Sequence, residues 1–187
     1  MLKKRDLQEV PTLFHLLSHP DVFPFVRDKP ESLDRYYFLT KQTIEAENSG
    51  TLISRTILDE FEQPIGTINL YDIQYNYGFL ATWLGKPYFG KGYNKVAKEL
   101  FLNEIFLKSS SIKNIFMKIR KSNARSIKAA SKIPYVSKAN DLFPDVYNQV
   151  NQNGISYDLY VISKTMYTEY NSFIQQVQNV PNDEEAS

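Results

Sequence analysis

The chain has 187 residues, of which 42% are apolar and 14% aromatic, enough for one domain with a sizeable hydrophobic core. Its 22 Lys and Arg nearly balance its 21 Asp and Glu, so the net charge of +1 favours neither a nucleic-acid nor a membrane partner. The absence of Cys excludes disulfides, Cys-ligated zinc and thiol catalysis. No apolar run is long enough to span a membrane, so a cytoplasmic protein is expected.

Two helices are predicted first. Apolar residues at positions 10, 13, 14, 16 and 17 form one helical face that ends before a proline, and a second helix is predicted over residues 32–48. The second helix carries Tyr36, Tyr37 and Phe38, which suit helix packing with one exposed ring better than the lining of an acceptor cleft.

The pattern then changes to alternation, which is typical of strands. Residues 51–58 and 65–73 predict a hairpin, and residues 77–85 predict a third strand. After a glycine-rich loop comes a helix, whose apolar face is expected to comprise Val96, Ala97, Leu100, Phe101 and Ile105.

The last third alternates between strands and helices. A strand is predicted over residues 114–120, a short helix over 123–132, a strand over 155–164 and a helix to about residue 178. This order predicts an α/β (α+β) fold with a mixed, mostly antiparallel central sheet and helices on both faces. We expect one domain over residues 1–178 and a polar, acidic, disordered tail over residues 179–187.

The loop "LGKPYFGKGYNK" almost matches a nucleotide-binding P-loop. Gly85, Gly90 and Lys91 fill G-x-x-x-x-G-K, but Gly92 stands where a Ser or Thr would ligate Mg²⁺. One alternative is a plain strand-to-helix turn that uses Gly for its backbone freedom. The other is a metal-free pyrophosphate cradle, in which backbone N–H groups and a helix N-terminus bind the phosphates.

Two motifs carry a resemblance to the GNAT superfamily of N-acetyltransferases. The window Phe89-Gly90-Lys91-Gly92-Tyr93-Asn94 resembles the superfamily's Gln/Arg-x-x-Gly-x-Gly/Ala loop, with Phe89 in place of Gln/Arg and Asn94 in place of the last small residue. The segment "NARSIKAASKIPY" resembles a second element in the branch of the ribosomal-protein N-terminal acetyltransferases, through Asn123, Ser126 and Lys132. The resemblance covers roughly residues 5–170.

The resemblance implies acetyl-CoA as cosubstrate, no metal, and two strands that splay apart at the cofactor site. These strands are "YGFLATWLG" and "NIFMKIR". The implied cofactor-binding residues are Trp83, Leu84, Phe89, Gly90, Lys91, Gly92, Tyr93, Asn94, Asn123 and Ser126.

The resemblance assigns the catalytic residues less directly. Ser126 is the expected hydrogen-bond donor to the leaving sulfur, since the superfamily's Tyr position is Ala130 here; alternatively Ser126 serves only in the first helical turn. Asp145 is the expected general base, with Asp158, Asp72 or a water chain as alternatives. His15 and His19 have metal-ligand spacing but no third ligand in sequence, so surface or partly buried histidines are expected.

The predicted function is transfer of an acetyl group from acetyl-CoA to a primary amine on a protein N-terminus, a peptide or a small molecule. The alternative is a weak or inactive acyl-CoA-binding module that acts as a sensor or partner. A nucleotide hydrolase is disfavoured by Gly92. We expect a monomer or homodimer that binds acetyl-CoA and an amine acceptor.

Overall fold

The computed structural model describes residues 1–108, 111–152 and 154–178, and the chain divides into two units, Met1–Ile112 and Lys113–Ser187. The predicted acidic tail, residues 179–187, lies outside the described residues. That residues 1–178 form a single domain stays a prediction.

The sheet of the first unit has four antiparallel strands. β1 (Leu2–Lys4) pairs with β2 (Ile53–Leu58), β2 pairs with β3 (Pro64–Tyr71), and β3 pairs with β4 (Tyr77–Leu84). The β2–β3 turn is held by the Asp59 carboxylate, which accepts hydrogen bonds from the N–H groups of Phe61 and Gln63 at 2.9 and 2.8 Å. This side-chain capping replaces the backbone bonds that a tight turn leaves unmade.

Helices cover both faces of this sheet. They are α1 (Val10–Leu17), α2 (Leu33–Asn48) and α3 (Tyr93–Lys108), and both α1 and α3 contact β3. Neighbouring residues of a strand point to opposite faces. Thr67 and Ile68 of β3 are both buried, so both faces are covered, as predicted.

Helix α3 is rotated relative to the predicted orientation. Val96 and Leu100 are 53% and 44% exposed, so their assignment to the buried face was wrong. The buried side chains are Ala97, Phe101, Leu102, Ile105 and Phe106. Apolar residues occur almost all round this helix, so the periodicity left its orientation to be decided by packing.

The second unit has three strands and three helices within its described residues. β5 (Asn114–Arg120) pairs antiparallel with β7 (Tyr157–Ser163), which also pairs with β6 (Ser137–Lys138). The helices are α4 (Ala124–Ala130), α5 (Pro144–Val150) and α6 (Lys164–Gln178). Aromatic contacts fill its core, including the Phe116–Phe143 and Tyr135–Tyr167 pairs, each with ring centroids 4.9 Å apart.

The mixed α/β fold with mostly antiparallel strands is confirmed. β1, β6 and α5 were not among the predicted elements, because strands of two or three residues and a single two-turn helix show too little periodicity. Among the helices of the described ranges, none combines the length and the hydropathy that crossing a bilayer requires.

Candidate functional site

The glycine loop connects β4 to α3. Its first residue, Gly85, donates its N–H to the carbonyl of Ile65 at 2.8 Å, which extends the β3–β4 pairing by one bond. A single 3-10 turn, Lys86–Tyr88, follows. Gly90 and Gly92 have φ of +75° and +88°, and a Cβ added at either would meet no atom within 4 Å. These two glycines are therefore required by backbone conformation, and open space lies beside them.

Helix α3 begins directly after Gly92. The Gly92 carbonyl accepts the N–H groups of Lys95 and Val96 at 3.0 and 3.3 Å. The N–H groups before these belong to the start of the helix, which provides no intrahelical acceptors for them and carries the positive end of the helix dipole. The Asn94 side-chain oxygen, Oδ1, is buried there without a hydrogen-bond partner among the described residues. Oδ1 is an acceptor and does not bind an anion, so the free N–H groups and the helix dipole alone give the loop the features of an anion-binding helix start.

Phe89 fixes the loop to the core. Its ring is partly buried and packs on the apolar cluster of the first unit, which comprises Val10, Leu13, Leu17, Val22, Val26 and Tyr36. Beside it, the Lys86 ammonium forms an ion pair with Asp21 and lies 5.5 Å from the Phe89 ring centroid. Phe89, one of the two residues that depart from the superfamily's loop pattern, therefore has a packing role here.

Tyrosine rings border the loop. Tyr88 and Tyr93 meet edge to face with centroids 5.8 Å apart, and the exposed Lys91 ammonium lies 5.8 Å from the Tyr88 ring. The Tyr93 hydroxyl donates a hydrogen bond to the Glu60 carboxylate, which raises the pKa of Tyr93 to about 12. Tyr93 therefore stays protonated above pH 10, where an unperturbed tyrosine ionises.

A cavity of about 100 Å³ lies in the first unit beside β4. Its wall combines residues of α2 and of the sheet with aromatic and charged side chains, among them Arg5, Arg27, Asp28, Tyr36, Thr40, Tyr71 and Trp83. Four buried polar atoms of this wall have no hydrogen-bond partner among the described residues: Nε and Nη2 of Arg5, Oγ1 of Thr40 and Oγ1 of Thr82. Unpaired polar atoms in a buried wall indicate a place for a polar ligand or water.

Tyr36 belongs to both the cavity wall and the apolar cluster. Burial raises the pKa of its hydroxyl, and the neighbouring Arg5 guanidinium opposes that rise. Phe38, two residues later, is 49% exposed. The aromatic group of α2 therefore does pack with one exposed ring, as predicted, but its first member also lines the cavity.

In the second unit Asn123 caps α4. Its side-chain oxygen accepts the Ser126 N–H at 3.2 Å, so Ser126 occupies the first turn of the helix and is half-buried. This is the local geometry of the capping interpretation. The role of Ser126 as donor to the sulfur stays a prediction.

The three candidate bases have different surroundings. Asp145 is exposed in the first turn of α5, and Asp72 is exposed just after β3 with φ of +50°. Asp158 of β7 is buried and accepts hydrogen bonds from Asn140 at 2.9 Å and pairs with Lys138 at 3.1 Å. Burial raises the pKa of Asp158, but the bonds from Asn140 and Lys138 outweigh it and hold the pKa below 3.8. Asp158 is thus a weak base, and the assignment of Asp145 stays a prediction.

No metal site is evident within the described ranges, where no three His, Cys, Asp or Glu side chains gather closely enough to hold an ion. The Nδ1 of His19 accepts the N–H of Asp21 at 3.1 Å, a local bond.

The sequence did not reveal the cavity. Arg5, Thr40 and Trp83 come from distant parts of the chain, and no motif links them. The sequence shows Arg5 only as one of several cations before the first predicted helix, and nothing distinguishes it from Lys3 and Lys4.

Known protein families and solved structures resemble this chain. The family model "Acetyltransferase (GNAT) domain" matches residues 1–135. No curated protein sequence matches the chain. Solved structures with the same fold include the nucleotide-linked sugar GNAT FdhC, at 15% identity and TM-score 0.71, covering 96% of this chain and 94% of that one.

Two further solved structures are of acetyltransferases whose descriptions name different acceptors. A variant of spermidine N-acetyltransferase SpeG from Vibrio cholerae is 13% identical with TM-score 0.68, covering 91% of this chain and 99% of that one. The ribosomal-protein N-acetyltransferase RimL, in complex with coenzyme A, is 15% identical with TM-score 0.66, covering 86% and 90%. At these identities the likeness shows the fold alone.

Proposed function

Because the chain belongs to the GNAT acetyltransferase family, we propose that it transfers an acetyl group from acetyl-CoA to the primary amine of a protein N-terminus, a peptide or a small molecule. The observation that carries the proposal is the loop before α3, where Gly90 and Gly92 adopt positive φ with open space beside them. The relatives named above, by their descriptions, acetylate different amines or bind coenzyme A, which supports the class of reaction.

The loop residues fit a pyrophosphate. The backbone N–H groups from Gly90 to Asn94 would bind its oxygens, because glycines without Cβ allow close approach and the helix start favours negative charge. Lys91 is exposed and adds a cation whose flexible stem needs no fixed geometry. In the second unit Asn123 and Ser126 are the proposed further contacts.

When bound, acetyl-CoA supplies a thioester as acyl donor. The chain has to polarise the carbonyl, hold the amine neutral and supply a proton to the departing thiolate. We propose that backbone groups near Trp83 and Leu84, at the end of β4, polarise the carbonyl. The cavity beside Trp83 would hold the amine, and Ser126 would donate the proton to the thiolate. Asp145 or bound water is the proposed base.

A second candidate is a GNAT-fold module that binds acyl-CoA without turnover. Two observations favour it: Phe89 occupies the Gln/Arg position and packs into the core, and the buried carboxylate of Asp158 is engaged by Asn140 and Lys138.

Thermal unfolding with acetyl-CoA, coenzyme A and Mg-ATP tests the proposal. A ligand at about 100 times its Kd adds roughly 2.7 kcal/mol to the apparent free energy of unfolding. We expect stabilisation by both coenzymes and none by Mg-ATP. If neither acetyl-CoA nor coenzyme A raises the unfolding temperature, both candidates are contradicted.

Thiol release over a panel of amines separates the two candidates. Release that depends on an amine supports the transferase, whereas stabilisation by acetyl-CoA with no release over the whole panel supports the binding module. Ser126→Ala should lower kcat more than it raises KM for acetyl-CoA, since the loss of a proton donor acts on the transition state.

A further inference from the structure

Arg5 is half-buried, and two nitrogens of its guanidinium are buried without a hydrogen-bond partner in the described ranges. Nε and Nη2 have no hydrogen-bond partner among the described residues, and Arg5 lines the cavity beside β4. Burying a guanidinium is costly unless its donors are paired, and Arg remains charged at any physiological pH. The Tyr36 hydroxyl lies close enough to interact with the guanidinium, so the partner that Nε and Nη2 lack among the described residues is a carboxylate.

The two unpaired nitrogens lie on the same edge of the guanidinium. Nε–H and one Nη–H of arginine point in parallel and match the two oxygens of a carboxylate. The first unit contains this arrangement at Arg55, where Nε donates to Oε2 of Glu104 at 3.0 Å and Nη2 donates to Oε1 at 2.6 Å. In Arg55 the edge is filled by a carboxylate of the chain, whereas no carboxylate of the described residues pairs with the same edge of Arg5.

The rest of the cavity wall also favours an anion. Its charged residues are Arg5, Arg27 and Asp28, two cations against one carboxylate. The Arg27 guanidinium stacks on the Tyr71 ring at 4.0 Å, which holds it at the wall. The buried hydroxyl of Thr40, also unpaired, adds a donor suited to an oxygen.

We propose that the acetyl acceptor is an amine that carries a carboxylate, and that the carboxylate docks on the Nε–Nη2 edge of Arg5 in this cavity. The inference rests on the proposed function for the acceptor's role, but the binding of the acid itself is independent of turnover. Polycationic amines are poor acceptors, because their second charge would face two guanidinium groups. Arg5 acts as a specificity residue, since it holds a remote group of the acceptor and touches none of the reacting atoms.

Two matched pairs of acceptors test this and distinguish the source of the carboxylate. Glycine against glycinamide tests a free α-carboxylate; amidated peptides beginning Asp-Ala against Asn-Ala test an acidic side chain at a protein N-terminus. We expect kcat/KM of the acid to exceed that of its amide at least 10-fold in one of the pairs, because the amide offers one oxygen and leaves part of the Nε–Nη2 edge of Arg5 unpaired. Spermidine should be poorer than either acid.

Arg5→Gln should reduce the acid-to-amide ratio to about 1, and Arg5→Lys should retain a part of it, because lysine keeps the charge but not the fork. Arg35→Gln is the matched control: Arg35 is an exposed cation of α2 that stacks on Phe38 and does not line the cavity, so the ratio should persist. Circular dichroism and urea unfolding verify that each variant folds. If Arg5→Gln does not fold, the comparison of wild type with Arg5→Lys still tests the role of Arg5.

Isothermal titration with the same four acceptors gives a readout that needs no catalysis. Acid binding that disappears in Arg5→Gln supports the proposal even if no thiol is released, in which case only the transferase activity is refuted. Equal Kd and equal kcat/KM for acid and amide, or an acid preference that survives Arg5→Gln, would overturn the role of Arg5 while leaving the transferase intact.

Discussion

Arg55 and Glu104 form a two-bond ion pair between β2 and α3, with both carboxylate oxygens engaged. Arg55 also donates to Glu47 of α2 at 2.5 Å, so one largely buried guanidinium connects a strand to two helices. Such a network holds three elements of the first unit in register.

Glu104→Gln should destabilise the protein by about 2–3 kcal/mol, because it leaves the Arg55 charge without its main partner. Urea unfolding measures the change. Glu99→Gln on the same helix is the control: Glu99 makes an exposed pair with Lys95 at 3.9 Å, and its loss should cost less than about 0.5 kcal/mol. Equal effects of the two substitutions would show that the Arg55 network adds no stability.

Gly90→Ala and Gly92→Ala should each weaken coenzyme A binding at least 10-fold, because an L-residue disfavours the positive φ that presents the loop's N–H groups. The strain itself costs about 1–2 kcal/mol. Isothermal titration with coenzyme A measures the affinity.

Gly50→Ala is the matched control for the loop. Gly50 follows α2, has φ of +76° and likewise has no atom within 4 Å of an added Cβ. Gly50→Ala should lower the free energy of unfolding about as much as the two loop variants do, and it should bind coenzyme A with the wild-type affinity. If all three variants bind coenzyme A as the wild type does, the loop is not the phosphate site.

Gly66→Ala should destabilise the protein by about 3 kcal/mol or more, because the added Cβ would clash with the backbone of β4, which cannot move aside as a side chain can. An added Cβ would lie 2.1 Å from the Trp83 carbonyl oxygen across the β3–β4 pair. At Gly78 the nearest atoms belong to the Leu70 side chain, at 3.0 Å, so Gly78→Ala should cost only about 1 kcal/mol. Differential scanning calorimetry distinguishes the two, and a reversed order would contradict the β3–β4 register.

Lys98→Met should stabilise the protein by about 1–2 kcal/mol at pH 7, because burial disfavours the ammonium and lowers the pKa of Lys98 to about 8. In the unfolded chain Lys98 titrates near 10.5, so the unfolded state binds the extra proton between pH 8 and 10.5. Wild-type stability attributable to Lys98 therefore rises with pH across this window. The advantage of Met should shrink over the same range; a gain that is constant from pH 7 to 10 would show that Lys98 is well solvated.

Sequence patterns predicted most of this structure where the signal was local. The backbone freedom expected of Gly90 and Gly92 and the first-turn position offered for Ser126 depend on rules that act over three or four residues, and the structure shows both. The orientation of α3 could not be predicted, because Val96 and Leu100 are as apolar as the residues that are buried. The cavity could not be predicted either: Arg5 becomes informative only when tertiary packing buries it without a partner.

Phe89 joins the glycine loop to the apolar cluster that includes Leu13, Val22 and Tyr36. The two are therefore thermodynamically linked: whatever loosens the cluster also loosens the loop, and a ligand held by the loop protects the cluster in return. A genetic screen scored only on coenzyme affinity should consequently recover substitutions deep in α1, at side chains that no ligand reaches. In hydrogen exchange, the amides of α1 should slow when coenzyme A is added.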